Sequence, residues 1–190
     1  MSSSTAKPQA SKRILDMTYI AMFAALMAIC AWIAIPIGDI PITLQTFGVF
    51  CAVGLLGGKR GTLAVLVYIL LGAIGVPVFA GFSGGFGILV GTTGGYIMGF
   101  IFSALVYWLI TGLLGNKWWG KLLGMILGLL VCYAFGTVWF MVVYARETAA
   151  VGLATALGWC VVPYILPDLC KIAAAMLLCQ MVPKHVRIFD

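Results

Sequence analysis

GWCVVPYILPDLCKIAAAMLLCQMV, from Gly158 to Val182, is long and apolar enough to cross a bilayer, yet carries Asp168 and Lys171 in its middle. No other charge occurs between Thr148 and Pro183. Each ion costs on the order of 2.5–3.5 kcal/mol at that depth by insertion scales, so such residues face a cavity or a partner. Three positions apart, the two share one helix face. Two readings are open: a neutralising pair that makes the segment insertable, or a polar clamp for a bound solute. Pro163 and Pro167 predict a break on the approach to the pair.

The rest of the chain is equally apolar. Apolar residues make up 64% and charged residues 8%, against roughly 45–50% and about 25% in soluble domains. Mean hydropathy is +1.17. Long apolar runs in place of period-2 alternation argue for helices and against a barrel. The expectation is an all-α integral membrane protein, a compact bundle of six transmembrane helices. The runs are Met17 to Ile35, Thr43 to Leu56, Thr62 to Phe79, Tyr96 to Leu114, Leu122 to Ala145 and Gly158 to Val182. This divides the chain into an N-terminal tail (1–16), a membrane domain (17–183) and a C-terminal tail (184–190), with no soluble domain and no cleavage signature after the first run.

Charge sets the orientation. Lys7, Lys12, Arg13, Lys59, Arg60, Lys117, Lys121, Lys184 and Arg187 all fall on the side shared by the two termini, and only Arg146 falls opposite. Cytoplasmic loops carry the excess of Lys and Arg, so both termini are expected in the cytoplasm. The net charge of +6 is then topological and requires no nucleic acid.

The opposite side is chemically different. Its first loop, Pro36 to Thr46, has two prolines, Pro36 and Pro41, and offers Asp39, Thr43, Gln45 and Thr46. Its second, GFSGGFGILVGTTGG from Gly81 to Gly95, is rich in glycine, which permits close backbone approach to a ligand. Polar and glycine-rich loops above a charged pair point to a solute site opening outward; flexible connectors are the plain alternative.

Other chemistry finds little support. The six cysteines lie in apolar runs without a CxxC pair and read as small hydrophobes. His185, the only histidine, sits in the tail. Gly58-Lys59 is followed by Arg60, and Val53 stands where a phosphate-binding loop needs its first glycine, so the chain is not expected to hydrolyse nucleotide. One Asp with one Lys does not make an intramembrane enzyme. A stand-alone transporter using Asp168 or Lys171 as a proton carrier is the other live function. Ala21, Ala24, Ala25 and Ala28 form two overlapping small-xxx-small pairs suited to close helix contact, with a partner or within the bundle. Gly124/Gly128 and Gly91 to Gly99 make the same offer.

Four segments in this order resemble one family. IPIGDIPITLQTFGVF (Ile35 to Phe50), GGKRGTLAVLVYILLGAIGVPVFAGFSGG (Gly57 to Gly85), GTTGGYIMGF (Gly91 to Phe100) and PYILPDLCK (Pro163 to Lys171) are similar to the biotin-specific substrate-binding (S) components of energy-coupling factor transporters, the BioY family. The resemblance implies a membrane protein that takes biotin from outside and needs no cofactor or motor of its own. It docks on a transmembrane coupling subunit with two cytoplasmic ATPase subunits, within the lipid bilayer. It also implies that the alanine patch of the first helix faces the coupling subunit, through Ala21/Ala25 or Ala24/Ala28. The polar residues suit biotin. Asp168 is a candidate acceptor for ureido N–H groups, and Lys171 a candidate partner for the carboxylate or the ureido carbonyl. Thr43, Gln45 and Tyr96 are further polar candidates. Phe47 and Phe79 are candidate walls, with Trp139 the weakest of them.

Overall fold

Glycines and prolines cut the apolar runs into helices. The computed structural model describes residues 7–36 and 40–182. Asp39, the tail 184–190 with Lys184, His185 and Arg187, and residues 1–6 lie outside the described residues. The elements are α1 (Lys7–Trp32), β1 (Ala34–Ile35), β2 (Ile42–Thr43), α2 (Gln45–Leu56), α3 (Gly58–Ala73), α4 (Phe86–Val90), α5 (Gly94–Leu114), α6 (Trp118–Glu147), α7 (Leu153–Cys160) and α8 (Val162–Met181). The strands form a minimal antiparallel ribbon pairing Ala34 with Thr43 and Ile35 with Ile42.

Among the described residues four helices are long and apolar enough to cross a membrane: Lys12–Trp32, Gly94–Leu114, Trp118–Glu147 and Val162–Met181. The second and third runs behave differently from the others. α2 is apolar but has 12 residues, and α3 has 16, both short of the roughly 20 needed for an untilted span. α3 ends at Ala73, six residues before Phe79, because Gly75 takes φ 103 and Pro77 cannot donate to a continuing helix. α1 starts at Lys7, well before Met17.

The expected break between Pro163 and Pro167 is not there. Pro163 lies in the first turn of α8, where its missing N–H leaves no bond unmade, and the helix runs on through Pro167. The discontinuity falls earlier, at Val161 (φ −124), which separates the short α7 from α8.

α2, apolar on every side, is central and packs on α1, α3, α5 and α8. Gly57 (φ 80) reverses the chain between α2 and α3. α5 and α6 form the most extensive helix pair, an antiparallel seam with glycine set against bulk. A Cβ on Gly99 would lie 2.9 Å from Cys132 Sγ, one on Gly128 2.7 Å from Ser103 Oγ, and one on Gly136 2.2 Å from the Tyr96 ring. The small residues of the fourth and fifth runs therefore serve internal packing. Of the alanine patch, Ala24 and Ala28 are buried in the main core, whereas Ala21 and Ala25 are exposed. This corrects the expectation for Ala24 and Ala28, since their own bundle already covers them.

Polar contacts tie α1 to the start of α3 and the start of α6 to α2. Arg60 pairs with Asp16 through two contacts of 3.1 Å, and the buried Lys121 ammonium donates to the Gly54 carbonyl near the end of α2 at 3.3 Å. Outward faces are apolar, as with Ile29, Leu109, Val138 and Leu166. Such an exterior suits a multi-pass membrane protein, since lipid carries no penalty for exposed hydrocarbon. Among the described residues, none of the six cysteines is joined in a disulfide.

Candidate functional site

α8 places Asp168 and Lys171 one turn apart on its inner face. Both are buried, Asp168 3% exposed and Lys171 8%, and Lys171 Nζ donates to Asp168 Oδ1 at 2.6 Å. Two hydroxyls complete the shell. Thr46 Oγ1, in the first turn of α2, donates to Oδ1 at 2.9 Å, and the Tyr133 hydroxyl of α6 donates to Oδ2 at 2.5 Å. The carboxylate thus receives three donors from three helices. Lys171 spends one of its three N–H bonds on Asp168, so towards a ligand the pair is mainly a donor.

The pair opens on a cavity of about 270 Å³, close to the lower bound of roughly 300 Å³ for small-molecule sites. Ile40 and Pro41 from the first loop, Phe79, Ala80 and Ser83 from the stretch between α3 and α4, and Ile88 from α4 contribute to its lining. α5 adds Tyr96, Ile97 and Phe100, with Thr93 just before it, and α6 adds Cys132 and Tyr133. Cys160 and Tyr164 reach it from α7 and α8, and the Tyr164 hydroxyl donates to the Ile40 carbonyl, fastening the first loop to α8.

The neutral polar groups are also fixed. Thr43 Oγ1 donates to Gln45 Oε1 at 3.1 Å and accepts the Gln45 backbone N–H at 3.2 Å, satisfying an amide that the first turn of α2 leaves free. Gln45 Nε2 donates to the Tyr68 hydroxyl at 2.5 Å. The Tyr96 hydroxyl and Thr137 Oγ1 are bonded at 3.1 Å. Phe79 is 1% exposed and stands edge-on to Tyr68, at 5.6 Å and 82°. It fits only because Gly72 carries no side chain, a Cβ there falling 2.0 Å from the ring.

The cavity thus brings together Thr43, Gln45, Phe79, Tyr96, Asp168 and Lys171. Phe47 does not line it: one helical step beyond Thr46, its side chain turns to the main core. Trp139 is also outside the lining, covering Gly95 and donating to the Gly91 carbonyl at 3.0 Å, which braces the start of α5. Sequence reasoning missed Thr46, Tyr133 and Tyr164 as site residues. Thr46 had a signal, standing beside Gln45 in a polar loop. Tyr133, inside an apolar helix, had none.

The sequence and the fold both have counterparts among known proteins. The sequence model of the BioY family matches residues 3–188. A biotin transporter BioY of Thermotoga maritima is 42% identical over 165 residues, covering 86% of this chain and 92% of the relative. A probable biotin transporter BioY of Pyrococcus horikoshii is 39% identical over 165 residues, covering 87% and 94%. A crystal structure of the S-component for biotin from an ECF-type ABC transporter superposes with a TM-score of 0.81 at 27% identity, covering 96% of this chain and 95% of that one.

Proposed function

This chain belongs to the BioY family, and on that footing we propose that it binds biotin in the cavity beside Asp168 and Lys171 and serves biotin uptake as the substrate-specificity subunit of an energy-coupling factor transporter. The observation that carries the reading is the buried Lys171–Asp168 pair, held by Thr46 and Tyr133 and opening on a cavity of small-molecule size. Biotin asks for such a place. Its carboxylate and ureido oxygen accept from a cationic donor, and its fused rings need apolar walls such as Phe79, Ile97 and Phe100.

The chain acts as a binding subunit and not as an enzyme, and needs no cofactor. Biotin enters from the extracellular side beneath the first and second loops. α2 and α3 serve as short fifth and sixth passes beside the four long helices, with both termini cytoplasmic by the distribution of Lys and Arg. A transmembrane coupling subunit meets α1 along Ala21 and Ala25, the exposed register of the patch, and two ATPase subunits supply the hydrolysis. Mass spectrometry of ligand retained by the purified protein, followed by titration with biotin, tests the reading. Retained biotin and saturable binding support it; no saturable biotin binding rejects it.

The ionisable pair in the cavity also supports a second reading, a stand-alone ion-coupled transporter of a small solute.

A further inference from the structure

The geometry points to Tyr68 as a positioning residue that fixes which way the Gln45 amide faces and thereby what Gln45 presents to the ligand; this rests on the biotin reading above. Tyr68 is outside the cavity lining and 0% exposed. Its hydroxyl has one proton, which it donates to the Val78 carbonyl at 3.1 Å in the stretch leading to Phe79. Towards Gln45 it has only lone pairs left. Gln45 must therefore turn its NH₂ to Tyr68, at 2.5 Å, and its oxygen to Thr43, at 3.1 Å.

The opposite orientation has a cost. With Oε1 facing Tyr68, the tyrosine proton would have to leave Val78, abandoning a carbonyl in the core, and buried polar groups without partners are strongly disfavoured. The same hydroxyl thus ties two sides of the cavity, Gln45 on α2 and the backbone beside the Phe79 wall. Gln45 meets the ligand with one remaining N–H and one remaining oxygen lone pair in a set arrangement. Released from Tyr68, the amide samples both orientations and offers the wrong group part of the time.

The test reads biotin affinity by calorimetry in the wild type, Tyr68→Phe, Gln45→Leu and the double variant, with melting temperature followed alongside. Tyr68→Phe is expected to weaken biotin about three- to tenfold, the range of one neutral hydrogen bond, and to add nothing in the Gln45→Leu background. A merely structural role would instead lower affinity by the same factor in both backgrounds, which overturns the proposal. In parallel, the Gln45 side-chain amide resonance, identified by its absence from Gln45→Leu, is followed by hydrogen exchange. Thr43→Val, which removes the partner of the amide oxygen and the acceptor of the Gln45 backbone N–H but leaves Tyr68 in place, is expected to leave the NH₂ protected; protection lost there assigns the amide to Thr43 and overturns the proposal even if Tyr68→Phe does not fold. A wild-type protein that does not bind biotin removes both readings, whereas wild-type binding with Tyr68→Phe unchanged removes only this one.

Discussion

The Tyr133 hydroxyl on α6 donates to Asp168 Oδ2 on α8 at 2.5 Å, on the side of the carboxylate away from Thr46 and Lys171, which share Oδ1. Asp168 is therefore held from both sides, and its orientation sets where the Lys171 ammonium lies. Tyr133→Phe removes one donor to a buried charge and should destabilise the protein by about 1.5–3 kcal/mol. Thermal unfolding in detergent measures this, and a variant as stable as the wild type would show that the contact carries no weight. Biotin affinity should fall less than in Lys171→Met.

Lys171→Met leaves the Asp168 carboxylate buried without its counter-ion and should cost about 3–5 kcal/mol of stability. Adding Asp168→Leu removes the orphaned charge and should recover much of that loss without restoring biotin binding. Melting and calorimetric titration of the two variants separate the clamp from a merely neutralising pair. Wild-type biotin affinity in the double variant would leave only the second.

Two glycines hold the aromatic residues of the cavity in place. Gly72→Ala and Gly136→Ala put a methyl 2.0 Å from the Phe79 ring and 2.2 Å from the Tyr96 ring, and overpacking of this kind costs about 1–3 kcal/mol. Both should lower thermal stability and weaken biotin. Gly112→Ala, where a Cβ meets nothing within 4 Å, should do neither. Equal effects at all three sites would rule out the packing explanation.

Ala25 and Ala24 are neighbours with different surroundings. Ala25 is exposed, and Ala25→Trp should preserve biotin binding while reducing co-purification with the coupling subunit. Ala24 is 2% exposed, and Ala24→Trp should fail on folding before docking is in question. Undiminished co-purification of Ala25→Trp would place the partner elsewhere.

Reconstitution of the chain alone in liposomes decides between the two transport readings. Biotin bound without accumulation is expected of a subunit that relies on partner ATPases. Accumulation driven by a proton gradient would favour the ion-coupled transporter.

By itself the sequence determined the class, four long apolar helices and the isolation of two charges in an apolar segment. Apolar runs such as Tyr96 to Leu114 have nowhere stable to go except across lipid, and the isolation of Asp168 and Lys171 in an apolar segment is visible without coordinates. Gln45, Phe79 and Tyr96 were legible because polar or glycine-rich sequence surrounds them. Helix ends were less so: α3 stops before Phe79 because the backbone at Gly75 turns and packs back on α3, which hydropathy does not register. Only the tertiary structure decided that Ala21 and Ala25 face outward while Ala24 and Ala28 are covered, that Phe47 turns from the cavity, and that Tyr133, from the middle of another helix, grips Asp168. Periodicity ranks the faces of one helix, but where every face is apolar it cannot say which meets lipid, core or ligand. That choice is made when α2, α6 and α8 pack together and the few polar groups find donors and acceptors on one another.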